Sequence, residues 1–116
     1  MSAAVSSDRD PGPGAPGGTL LLNLIVSPEV ADAVAEWLLE RQEVPGFTSL
    51  PVSGHGSSEH SLSLAEQVAG RSRRVMFFTY LPEESARVVL DGLRQAFRGS
   101  GLHYWMTAVI ACGHLD

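Results

Sequence analysis

From Thr19 onward, short apolar runs alternate with amphipathic stretches, and Gly, Pro and Ser punctuate the boundaries. TLLLNLIV, residues 19–26, is a continuous apolar run of the length that forms a buried strand. Ser27-Pro28-Glu29 follows. Serine is a good helix N-cap, proline suits the first helical position, and an early acid complements the macrodipole. The helix is predicted to run to about Gln42, with Val30, Val34, Trp37 and Leu38 forming one apolar stripe. Pro45-Gly46 ends it, and FTSLPV, residues 47–52, reads as a second strand in which Pro51 marks an edge or a bulge.

A long polar segment occupies residues 53–72. Within it, Ser63-Leu64-Ala65-Glu66 matches a capping box and predicts a helical turn near Gln67. A loop this long in a small domain is usually functional or disordered. RRVMFFTYL, residues 73–81, is the third strand, and Pro82-Glu83-Glu84 opens a second helix with Ala86, Val89, Leu90, Leu93 and Phe97 on its apolar face. Gly99-Ser100-Gly101 stops that helix, and LHYWMTAVI, residues 102–110, is the fourth strand. The order is βαββαβ, an α+β ferredoxin-like arrangement of a four-stranded antiparallel sheet with both helices on one face.

A sheet covered on one side only should alternate apolar and polar positions. These strands do not. Val75, Phe77 and Leu81 oppose Met76, Phe78 and Tyr80; Leu20, Leu22 and Leu24 oppose Leu21 and Ile25; Leu102, Met106 and Ile110 oppose Trp105 and Val109. Two helices can cover one face, so the second apolar face is expected to be an interface between subunits. The alternative is that the long loop or the C-terminal tail folds over it.

The composition sharpens this picture. Charged residues make up 18 % of 116 residues and hydrophobic residues 44 %, in keeping with an apolar surface that needs a partner. The net charge of −5 argues against a nucleic-acid partner. A single cysteine, Cys112, excludes an intramolecular disulfide. Residues 1–18, rich in Ser, Asp, Pro and Gly, read as a disordered tail rather than a signal peptide, with residues 19–116 as the folded domain. No apolar run is long enough to span a bilayer, and the expected location is the cytoplasm.

The candidate chemistry is concentrated in His55, His60, His103, Cys112 and His114. Imidazole and thiolate together suit transition metals, copper first, with zinc and nickel as alternatives. In an extended chain Cys112 and His114 point the same way, so one ion could meet both, with His55 or His60 from the loop of the same or a neighbouring subunit as a third ligand. The competing reading is a mobile tail for Cys112 and His114 and ordinary loop histidines for His55 and His60. His103 shares a strand face with Trp105, where an interface histidine competes with a ligand. Cys112 near a chain end has no evident third residue to orient a base, so no enzyme is expected. Arg71, Arg73 and Arg74 read as a solvated loop end or as an anion contact.

GFTSLPVSGHG (residues 46–56), SLAEQVAGR (63–71) and LHYWMTAVIACGH (102–114) resemble the strand-two, loop and last-strand segments of PII-like signalling proteins. They are most similar to an uncharacterised PII-like family encoded beside heavy-metal efflux pumps, and more distantly to divalent-cation tolerance proteins of the CutA type. The resemblance implies a homotrimer whose loop near Gly54-His55-Gly56 lies by an intersubunit cleft. It also implies a cytoplasmic regulator of metal homeostasis that contacts an efflux component. Alternatively, the trimer senses a nucleotide or anion and signals through its T-loop, with Gly54 and Gly56 letting backbone amides approach phosphate and Arg71, Arg73 and Arg74 supplying charge.

Overall fold

The computed structural model describes residues 18–56 and 71–115. The expected N-terminal tail apart from Gly18, the capping box at Ser63 to Glu66, and His60 lie outside these residues. The element order is β1 (Thr19–Val26), α1 (Pro28–Leu39), β2 (Thr48–Gly54), β3 (Ser72–Pro82), α2 (Glu83–Ala96) and β4 (His103–Ala108). The four strands form one antiparallel sheet in the order β2-β3-β1-β4. This is the arrangement that the hydrophobic pattern predicts.

The core lies between the helices and one face of the sheet. Leu22, Leu24 and Val26 of β1 and Phe77 and Leu81 of β3 are buried there, against Val34 and Leu38 of α1 and Ala86, Val89 and Leu93 of α2. The helix stripes read from the sequence are thus the buried ones. The helices also touch each other closely: a Cβ on Gly92 of α2 would lie 2.7 Å from the Trp37 ring of α1, so no side chain fits at 92. Phe97 meets the same indole edge-on at 6.4 Å, and the Arg41 guanidinium lies 4.3 Å from its centre.

Several boundaries differ from expectation, each for a local reason. α1 stops at Leu39 rather than Gln42, because Glu40 N–H donates to both Glu36 O and Trp37 O and Arg41 N–H then reaches only Leu38 O. The ladder tightens from i−4 to i−3 bonds and ends. Ser27 does stand at the N-cap in extended backbone, but its side chain makes no capping bond. β4 ends at Ala108, two residues early, since its partner Leu20 is next to the first residue of β1; Val109 N–H makes a last bond to Thr19 O at 3.0 Å. β2 runs two residues further than expected, to Gly54, and it holds Pro51 without a bulge because it is an edge strand. Thr79 Oγ1 donates to Gly46 O at 2.7 Å and pins the entry into β2.

Among the described residues, no helix lies on the opposite face of the sheet. Register places Leu50, Met76, Ile25 and His103 in one row across it, and Thr48, Phe78, Asn23 and Trp105 in the next. Tyr80 and Trp105 are 48 % and 45 % exposed. Asn23 is a buried polar residue of this face, between Phe78 and Trp105, and its amide reaches Leu21 O only at 3.4 Å.

Candidate functional site

The strand ends define two different environments. One end of the sheet holds the last residues of β1 and β2, Val26 and Gly54, and the first residues of β3 and β4, Ser72 and His103; there the register pairs Ile25 with His103 and Gly54 with Ser72. A cavity of about 670 Å³ opens there, lined by Ile25, Ser27, Gly54, His55, Gly56, Ser72, Arg74, Ser100, Gly101 and His103. Three connections supply its rim: the β1–α1 junction, the chain just after β2, and the turn between α2 and β4. Among the described residues no carboxylate lines it, and Arg74 gives the cavity a permanent positive charge. Its guanidinium is steadied by a bond from Nη1 to Arg73 O at 2.8 Å.

Glycine matters at this end for two separate reasons. Gly56 and Gly101 have φ of 77° and 76°, the left-handed region that other residues adopt at a cost, and both turn backbone along the cavity wall. Gly54 is different. It sits inside β2 opposite Ser72, and a Cβ there would lie 2.9 Å from Ser72 Oγ. Its missing side chain makes room for the Ser72 hydroxyl.

At the other end, the C-terminal segment leaves β4 and brings His114 to a second cavity of about 330 Å³, beside Gly46, Thr48, Phe78 and Tyr80. This separates the expected metal ligands. Along β3 the Ser72–Arg74 wall beside His55 and the Phe78–Tyr80 wall beside His114 are offset by six positions, roughly 20 Å at the usual strand rise. Ligand bonds of about 2.0–2.3 Å cannot bridge that gap. Within one chain, therefore, Cys112 and His114 do not share an ion with His55, and among the described residues no three His, Cys, Asp or Glu side chains gather as a metal site. Cys112 is half-buried. His55 and His103 do come together, but around the polar cavity.

Of the three arginines, the cavity lining includes Arg74, whereas Arg71 and Arg73 are exposed outside it. Sequence reasoning missed Ser27, Ser72 and Ser100. Ser27 and Ser100 had been read only as helix start and stop signals, and Ser72 only as the end of a polar loop.

Comparison with known proteins places this geometry. No curated protein matches the chain. A DUF3240 family protein of Shewanella baltica superposes with a TM-score of 0.69 at 19 % identity, covering 84 % of this chain and 97 % of the other. CPII of Thiomonas intermedia is described as a nitrogen regulatory PII-like protein, with ADP, AMP and bicarbonate bound. It gives 0.62 at 20 % identity, covering 84 % and 96 %. The apo form of CPII gives 0.58 at 18 %, covering 78 % and 88 %. At these identities the likeness is one of fold, and the fold is PII-like. The family model described as "Protein of unknown function (DUF3240)" matches residues 17–116, and the chain belongs to that family.

Proposed function

We propose that the protein is a PII-like sensor that binds an adenine nucleotide or a related phosphate in the cavity beside Arg74 and relays its occupancy to a partner protein. One observation carries this reading. The largest concave site described is rimmed by left-handed glycines, carries a guanidinium and contains no carboxylate, which is the chemistry of an anion site. Support comes from the PII-like protein CPII, whose structure holds ADP, AMP and bicarbonate on a similar fold. In this reading the protein is a cytoplasmic regulator and not an enzyme.

Self-association belongs to the same proposal. Ile25, Arg74 and His103 line the cavity and also stand on the helix-free face of the sheet. A second copy packed on that face would bury Tyr80 and Trp105 and close the cavity from the side, and a trimer does this around one axis. A metal-linked role has less support, because the ligand set that suggested it divides between two ends of the sheet.

Calorimetric titration of the full chain with AMP, ADP, ATP and bicarbonate tests the reading. Saturable binding that weakens at least tenfold in Arg74→Ala is the expected result. No binding of any of the four at millimolar concentration would sink it. Sedimentation at equilibrium tests the assembly, with a three-chain mass expected.

A further inference from the structure

We infer that Ser72 and Ser100 are the specificity-determining residues of this cavity, whose hydroxyls together grip one phosphoryl group. The inference rests on the nucleotide reading above and assigns to it two residues that no family likeness names.

Both hydroxyls are buried with nothing to bond. Ser72 is 0 % exposed, Ser100 Oγ is likewise shut off from the surface, and neither oxygen has a hydrogen-bond partner among the described residues. Both serines line the same cavity. A buried hydroxyl without a partner costs free energy that alanine would avoid, so its presence calls for a reason. A satisfied structural role is not available to either side chain. In the turn after α2 it is the backbone of Ser100 that closes the turn, donating to Phe97 O at 3.1 Å, and the left-handed glycines on either side set the chain direction. At Ser72 the surroundings are arranged for the hydroxyl: it occupies the space that Gly54 leaves open, 2.9 Å from where a Cβ would stand.

The chemistry of the missing partner follows. A serine hydroxyl can donate or accept, but Arg74 beside it only donates and favours negative charge. With no carboxylate among the described lining residues and a guanidinium beside the hydroxyls, the group that suits both is an acceptor-only anion. It must present oxygens in more than one direction, because the two serines come from different elements, β3 and the α2–β4 turn. A tetrahedral phosphoryl group meets both conditions. It could be carried by an adenylate or be free phosphate.

The test uses full-length protein and the variants Ser72→Ala and Ser100→Ala, with AMP and inorganic phosphate as probes. Two quantities are read: the melting temperature without ligand, and the affinity for each probe. Each variant should melt at or above the temperature of the native chain, because an unsatisfied hydroxyl has been removed, while its affinity falls about tenfold. Losses with both probes assign recognition to the phosphoryl group whatever carries it; a loss with AMP alone assigns it to the nucleotide phosphate. A variant that melts lower or fails to fold would show that the hydroxyl has a structural partner and would overturn the inference. Undiminished binding in both variants overturns the serine assignment and leaves the nucleotide reading standing, whereas a native chain that binds neither AMP nor phosphate overturns both.

Discussion

The two faces of the sheet are built from similar residues and end up in opposite situations. On the helix side, Leu22, Leu24, Phe77 and Leu81 are almost fully buried by α1 and α2. On the other side Leu50, Tyr80 and Trp105 remain exposed, although they are as apolar. The difference is not in the strands. It comes from the connections: both βαβ crossovers place their helices on the same side, so among the described residues only one face is covered by helices. Apolar character in a strand therefore reports that a face is to be covered, and the topology decides by what.

Mutations separate the two faces. The largest effect is expected at Phe77→Ala, which should cost about 3–5 kcal/mol in denaturant unfolding, a large share of a small domain's stability. Next is Gly92→Ala. Replacing a helical glycine by alanine ordinarily stabilises, but here the methyl meets the Trp37 ring at 2.7 Å, and a loss of roughly 1–3 kcal/mol is expected. In a Trp37→Ala background the same substitution should become neutral or favourable; a penalty that persists there would mean the ring is not its cause.

Across the sheet, Trp105→Glu should change the stability of the single chain by less than about 1 kcal/mol, as is usual for an exposed site. Its effect should appear instead as a smaller particle in sedimentation. An unchanged mass would mean that Trp105 stays outside any interface. The smallest effect is expected at Arg87→Ala. The Arg87–Glu83 pair, 2.9 Å apart on the exposed side of α2, should contribute about 0.3–0.5 kcal/mol and fade with added salt.

The fold was legible because its signals are local or periodic. The stripes on α1 and α2, the proline and acid at each helix start, and the double-faced strands each follow from a few neighbouring residues. The misreadings have equally physical causes. The α1 end at Leu39 depends on a change of hydrogen-bond pattern that no residue type announces. Asn23 sits in the middle of TLLLNLIV, where the surrounding leucines dominate the pattern, yet it is a polar side chain buried on the open face.

The candidate site was half legible. Gly54, Gly56 and Arg74, singled out for an anion, and His55 and His103, singled out for a metal, line one cavity. Chemical type alone grouped His55 with Cys112 and His114; distance along β3 separates them. Ser72 and Ser100 carried no signal, because serine is common in loops and whether a hydroxyl is satisfied depends on every neighbour at once.

By itself, then, the sequence determined the elements, their order and the presence of two apolar sheet faces, since these depend on side-chain period and on turn and cap chemistry. Only the tertiary structure decided which residues meet at the strand ends. The pairing of β2 with β3 across a long polar segment sets Gly54 against Ser72, and the return of β4 beside β1 brings His103 to them. Such neighbours are fixed by long-range register, and register is a property of the folded chain rather than of any stretch of it.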